Sequence, residues 1–333
     1  MVEVPGSNPG VPTRSLYPYI TVIYDQFLSR HVIPLTAHGL CNLTAAELSA
    51  AGYKRFHNVA LLGFHSVIKR RMKEKSEIVR DWLPRYTGTA LDEFGEYILL
   101  TNFRDYVRRF SDRFAVPVQG EDAPMQTATC DNITMINFGM GSPQAATVMD
   151  LLSAVAPKAA LFLGKCGGLK SKIAVGDLIL PIAAIRGEGT SSDYLPKEIP
   201  ALPSFRLQTA VSHSIKRYQQ DYWTGTVYST NRRVWEHDGE FREYLQKARA
   251  SAIDMETATI FTVGFVNKIP HGALLLVSDL PMQPEGIKTA ESDARVSADF
   301  VQMHLDIGID SVIELASSGE SVKHLRYESS TPD

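Results

Sequence analysis

Between residues 133 and 279, short apolar segments run one after another into glycines or acids, with helix-like stretches between them. Ile133-Thr-Met-Ile-Asn-Phe enters Gly139-Met-Gly-Ser-Pro, Ala159–Leu163 enters Gly164-Lys-Cys-Gly-Gly, and Gly272–Val277 enters Ser278-Asp279. Asp177–Ile185 reads as a further strand. Strands this uniformly apolar are buried on both faces, which implies a mainly parallel sheet covered by helices. Gln144–Val155 reads as a helix with Ser142 as its cap and Pro143 at its first position. Met255–Val266 reads as another, and Trp82–Leu99 has helix-like stretches. In sheets of this class, ligands bind at the carboxyl ends of the strands. The two glycine turns and Ser278-Asp279 are therefore the places to look for chemistry.

The length of 333 residues suits one large α/β domain with an extension, or two small domains. A net charge of −3 excludes an overall basic field for nucleic acid or an anionic membrane. No apolar run approaches the roughly 18–20 residues that span a bilayer, and no secretory leader is visible at the N-terminus. Cys41, Cys130 and Cys166 fit neither a zinc site nor a disulfide framework. Such sparse cysteine use fits a reducing cytoplasm. Residues 1–71 differ from the rest: they carry 7 Lys+Arg and 3 Asp+Glu, a balance of +4, and begin with a run of turn formers. Gly6-Ser-Asn-Pro9 is also what a common tRNA T-arm sequence encodes in one frame. A natural start at Met72 is therefore expected, the alternative being a genuine irregular extension. The expected organisation is an extension over 1–71, a catalytic domain over 72–327 and a polar tail over 328–333.

Each motif has two readings. Gly139 and Gly141 let a ligand approach the backbone, and Ser142 opens a helix whose free N–H groups favour an anion. The spacing is neither a P-loop nor a dinucleotide fingerprint, and a purely structural turn would look the same. Lys165, within the second glycine run, suits a phosphate or a ribose hydroxyl, or is simply exposed on a tight turn. Cys166 has no histidine partner in sequence and reads as packing. In Ile253-Asp-Met-Glu-Thr, Asp254 suits a helix cap, whereas Glu256 heads an apolar segment where an unpaired carboxylate is costly. Asp279 ends a buried strand, where desolvation raises a carboxyl pKa and fits it to donate a proton, unless it merely caps a loop. Glu236-His-Asp238 reads as a solvated loop, and no metal site or cofactor is expected.

These segments, in this order, resemble the nucleoside phosphorylase/nucleosidase superfamily. Within it, Met72 to about Tyr327 is similar to the short-form bacterial AMP nucleosidases. The resemblance rests on Asn137-Phe-Gly-Met-Gly-Ser-Pro, Leu163-Gly-Lys-Cys-Gly-Gly, Val175-Gly-Asp-Leu-Ile-Leu-Pro, Ile185-Arg-Gly-Glu-Gly-Thr-Ser, Thr230-Asn-Arg-Arg-Val-Trp235, Ala252-Ile-Asp-Met-Glu-Thr-Ala-Thr and Val277-Ser-Asp. It covers none of residues 1–71. The resemblance implies a three-layer α/β/α fold with a mixed, twisted central sheet. It also implies a cytoplasmic homo-oligomer whose subunits share active sites.

By the same resemblance, Glu256 holds ribose hydroxyls, Met255 packs on the sugar, and Asp279, after Ser278, protonates or hydrogen-bonds a purine N7. Arg186 matches an arginine that contacts the base in related pyrimidine enzymes. The substrate-contact set implied is Gly139, Gly141, Ser142, Lys165, Cys166, Gly167, Arg186, Asn231, Arg232, Arg233, Trp235, Met255 and Ser278. Trp235 suits stacking on adenine or packing in the core.

The expected reaction is hydrolysis of AMP to adenine and ribose 5-phosphate, a step of purine salvage or breakdown. Its sugar passes through an oxocarbenium-like state, so protonation of the leaving base and a carboxylate near the sugar both assist. Phosphorylase relatives carry an arginine where this chain has Phe162, and Ser or Thr where it has Lys165. Both departures favour water as the nucleophile and leave its base open, with Glu93, Glu96 and Glu188 as candidates. Arg186, Arg232, Arg233 and Lys165 are candidates for the 5′-phosphate, because cations, arginine above all, bind phosphate. Arg104 lies in a segment that departs from the family's first phosphate loop and receives no role. Two alternatives remain: phosphorolysis of a purine nucleoside or uridine, and a nucleotide-binding sensor without turnover.

Overall fold

The computed structural model describes residues 73–317. The expected extension and tail, the choice of start, and Cys41 all lie outside these residues. Among the described residues, no helix is long and apolar enough to cross a membrane.

The chain opens with α1 (Lys75–Thr87), which ends at Gly88 in the left-handed conformation, and proceeds to β1 (Tyr97–Thr101) and α2 (Arg104–Phe114). Next come β2 (Gln126–Cys130), β3 (Ile133–Asn137), α3 (Ser142–Leu151), β4 (Ala159–Gly168) and β5 (Leu178–Gly187). They are followed by α4 (Phe205–Arg217), β6 (Tyr222–Thr230), α5 (Gly239–Lys247), β7 (Ala252–Asp254) and α6 (Thr257–Val266). The described chain ends with β8 (His271–Asp279), α7 (Ala290–Asp299) and α8 (Val301–Ser317).

The eight strands form one mixed sheet in the order β2-β3-β1-β4-β7-β6-β5-β8, and β8 also pairs with β4. That extra pairing closes β4, β7, β6, β5 and β8 into a ring. β1 pairs parallel with both β3 and β4, whereas β7 meets β4 antiparallel at Gly167↔Ile253 and Gly168↔Ala252.

Alternation along β1 shows how the layers are built. Ile98 and Leu100 join a core with residues of α1, α3 and α6, while Tyr97 and Leu99 join a second core with α2, α4, α7 and α8. Successive side chains of a strand point to opposite faces, so this is a helix–sheet–helix sandwich, the expected three-layer fold. α6 is apolar nearly all round and largely buried, as a helix of that composition must be.

Several expected boundaries move. Tyr97–Thr101 is a strand, not part of a helix-like stretch. The helix expected from Met255 starts at Thr257, after the short strand β7. The Gly164–Gly168 run is not a turn but the end of β4. A Cβ on Gly167 would lie 2.9 Å from the Pro281 ring and 3.2 Å from Ile253, so the close approach of neighbouring chain requires glycine there. Ser142 is not the cap of α3. Gly141 holds that position, at φ +92, and the Ser142 hydroxyl donates instead to the Met255 carbonyl at 2.9 Å.

Candidate active site

The ends of β1, β4, β6, β7 and β8 converge on one cavity. It is lined by Asn102 and Phe103 after β1, Lys165–Gly167 in β4, and Thr230, Arg232 and Arg233 at the end of β6. Trp235, Glu236, Ile253–Glu256, Ser278, Asp279, Met140 and Lys288 complete the wall.

Glu256 sits where β7 hands over to α6, and is 2% exposed. Its Oε1 accepts the Gly141 N–H at 2.7 Å and the Asn102 amide at 3.3 Å, and its Oε2 accepts the Met255 N–H at 3.1 Å. Burial raises its pKa to about 7, helped by the Asp254 charge, against the pull of the three donors. Asp254 has a different task. Its carboxylate accepts from the Thr257 N–H at 2.9 Å, from the Thr257 hydroxyl, and from the Ser229 hydroxyl at 2.6 Å. Asp254 thus secures the start of α6, as a helix-opening acid does, and leaves Glu256 turned to the cavity.

Asp279 closes β8. Burial raises its carboxyl pKa, and nearby Lys288 opposes the rise. The Ser278 hydroxyl donates to Asp279 Oδ1 at 2.6 Å, and Lys288 Nζ stands 3.6 Å from that oxygen. Lys288 is also 3.6 Å from Asp293, which pairs in turn with Lys165 at 3.2 Å. Lys165 Nζ further donates to Ser297 Oγ at 2.9 Å and lies 4.6 Å from the centre of the Phe103 ring. Burial lowers the Lys165 pKa, and Asp293 partly restores it. Acid, lysine, acid and lysine thus form a chain from Asp279 back to Lys165.

The cavity gathers Glu256, Asp279, Met255, Lys165, Cys166, Gly167, Arg232, Arg233, Trp235 and Ser278 from the expected set. Gly141 supports it from behind through the bond to Glu256, and Ser142 through the bond to Met255. Gly139 is not in the wall; its N–H donates to Asn137 Oδ1 at 3.2 Å, and the neighbouring Met140 lines the cavity. Cys166 is buried packing, as its lack of a partner suggested, and burial pushes its thiol pKa well up. Trp235 both lines the cavity and packs edge-on against Phe241.

The structure does not bring Arg186 to this cavity. Its guanidinium is spent on Ser191 and on the carbonyls of Leu195, Pro196 and Ile199, so it fastens the 191–199 segment and does not line the cavity. Asn231 is exposed beside the cavity and is not part of its wall. Arg104 opens α2 outside it.

The candidate bases fare likewise. Glu93 bonds the Ala90 N–H, Glu96 pairs with Lys158, and Glu188 is bonded by Thr259 and Ser191. None of the three reaches the cavity. Asn102, Phe103, Glu236, Lys288 and Asp293 were not assigned from sequence. For Asn102 a signal existed, since it directly follows a strand in a fold whose strand ends carry the site.

A fold of this topology with a paired Glu and Asp at its strand ends defines a class, and comparison agrees. The family model described as the phosphorylase superfamily matches residues 97–310, and the chain belongs to that family. The AMP nucleosidase of Escherichia coli K12 is 29% identical over 285 residues, covering 72% of this chain and 58% of that protein. The chain therefore spans little more than half the length of this relative. The crystal structure of AMP nucleosidase from Bacteroides thetaiotaomicron is 53% identical and covers 74% of this chain and 99% of that one, with a TM-score of 0.67. A uridine phosphorylase structure from Vibrio fischeri, at 21% identity and a TM-score of 0.61, shares the fold.

Proposed function

We propose that this chain is an N-glycosyl hydrolase that splits AMP into adenine and ribose 5-phosphate. The observation that carries the reading is the placement of Asp279 and Glu256 in one cavity with Lys165, Lys288, Arg232 and Arg233. A buried and a partly buried carboxyl suit cation stabilisation and proton donation, and the cations suit a phosphate. The likeness to AMP nucleosidases supports the same substrate.

Burial raises the Asp279 pKa, which favours its acid form, and in that form it delivers its proton to N7 of the purine. The C1′–N9 electron pair then departs with a neutral base. Glu256 bonds the ribose hydroxyls and places negative charge beside the cationic sugar. Water adds to C1′ and sheds one proton, which balances the one given up by Asp279, so the enzyme returns to its starting charge. Phe162, fully buried in the core beneath the sheet, offers no cation for inorganic phosphate as a nucleophile. The exposed apolar side chains of Ile182, Leu202 and Phe205 give a face on which copies of the chain can associate, which supports a homo-oligomer. Free Cys130 and Cys166 fit a cytoplasmic location.

The test is incubation with AMP, adenosine and uridine, each with and without inorganic phosphate, followed by identification of the sugar. Ribose 5-phosphate from AMP without added phosphate is expected. Ribose 1-phosphate from a nucleoside would make the chain a phosphorylase, and binding of AMP without product would make it a sensor.

A further inference from the structure

Asn102 directly follows β1 and lines the cavity beside Glu256. Its Nδ2 donates to Glu256 Oε1 at 3.3 Å, an oxygen that already accepts the Gly141 N–H at 2.7 Å. Only the nitrogen end of an amide can face an accepting carboxylate, so the orientation of the side chain is fixed. Its other end, Oδ1, is then an acceptor, and this atom is buried with no hydrogen-bond partner among the described residues. Buried acceptors are nearly always paired, and an unpaired one signals a donor that arrives with a ligand or water.

We propose that Asn102 is a substrate-side residue whose Oδ1 accepts a hydrogen bond from an O–H group when the cavity is filled. The donor is a ribose hydroxyl or the attacking water, both of which belong beside Glu256. The inference rests on the AMP-hydrolase reading above and adds to it a polar contact beside the Glu256 carboxylate. Asn102 thereby serves two partners: its nitrogen fixes Glu256, and its oxygen fixes the group that Glu256 acts on.

The test compares wild type, Asn102→Ala and Asn102→Asp on AMP, 2′-deoxy-AMP and 3′-deoxy-AMP across pH, with thermal melts to establish that each variant folds. Asn102→Ala should lower kcat/KM on AMP by about 10- to 100-fold, the range expected for a lost buried polar contact. Asn102→Asp retains an accepting oxygen. It should recover much of the loss on the acidic side of the profile, where the added carboxyl and Glu256 share a proton.

A deficit that disappears on one deoxynucleotide identifies that ribose hydroxyl as the donor. A deficit that persists on both, and lies in kcat, identifies the water. The proposal is overturned if Asn102→Ala cleaves AMP within threefold of wild type, or if Asn102→Asp is as impaired as Asn102→Ala at every pH. If wild type itself leaves AMP intact, the hydrolase reading fails. AMP binding by calorimetry then decides for Asn102: at least tenfold weaker in Asn102→Ala supports the contact, and equal affinity removes it.

Discussion

The two carboxylates of the cavity are held in opposite ways. Glu256 is held mainly by backbone: the N–H groups of Gly141 and Met255 grip its two oxygens, and one side chain, Asn102, assists. Asp279 is held by side chains alone, the hydroxyl of Ser278 and the ammonium of Lys288, with Asp293 and Lys165 further along. The path of the chain fixes the first corner, since Gly141 at φ +92 presents its N–H only in a backbone shape that other residues rarely adopt. Charges set the second corner, and charges respond to pH, salt and ligands. A sugar needs a fixed seat, whereas a proton donor needs a tuned pKa. The division of labour follows that need.

The largest expected effect breaks the comparison at its adjustable end. Asp279→Asn keeps the shape and removes the proton, so kcat for adenine release should fall by about 10²–10⁴-fold, the usual worth of a positioned acid. AMP affinity should change by only a few fold. Undiminished turnover in this variant would take Asp279 out of the mechanism.

The next effect concerns the fixed end and is read in stability. In the unfolded chain the Glu256 carboxyl ionises near the ordinary value of 4.5, while in the fold it holds its proton up to about 7. The native state therefore binds the extra proton, and its stability falls as pH rises from 4.5 through 7. The full penalty, on the order of 3 kcal/mol, stands above pH 7. Glu256→Gln has no such titration, so the unfolding free energy of the variant should gain on wild type across this window. Urea unfolding at pH 5 and pH 8 measures it. Parallel pH dependences in the two proteins would mean that the buried carboxyl does not carry this penalty.

The same contrast explains what could be read from the sequence. Glu256 and Asp279 were legible because both sit at the ends of apolar runs, where a charged residue stands out. The sandwich was legible from segments such as Ala159–Leu163 at the start of β4, whose unbroken apolar character demands cover on both faces. Glycine hid the far half of β4: Gly164–Gly168 looks like a turn, yet every residue of it is buried strand. Lys288 and Asp293 lie in polar surroundings after β8 and become meaningful only when the fold brings them to Asp279 and Lys165. Arg186 stands apart from the cavity for the converse reason. Its place after β5 suits a ligand contact, but its five bonds to the 191–199 segment leave no free donor fork.

The smallest effect sharpens the comparison by retuning Asp279 without touching it. Lys288 lies 3.6 Å from Oδ1 and draws the Asp279 pKa down against the rise caused by burial. Replacing it by Gln removes the cation and keeps a polar side chain of similar length. The Asp279 pKa should then climb further, so the acid form that donates to N7 persists to higher pH. The limb of the kcat profile that reports Asp279 should move upward in Lys288→Gln, while the limb that reports Glu256 in its backbone cradle should stay in place. Added salt should move the wild-type limb that reports Asp279 in the same direction, because screening weakens the same attraction, and should do less in the variant. Movement of both limbs together would mean that the two corners are one electrostatic unit, and that the backbone cradle does not insulate Glu256 from the charges around Asp279.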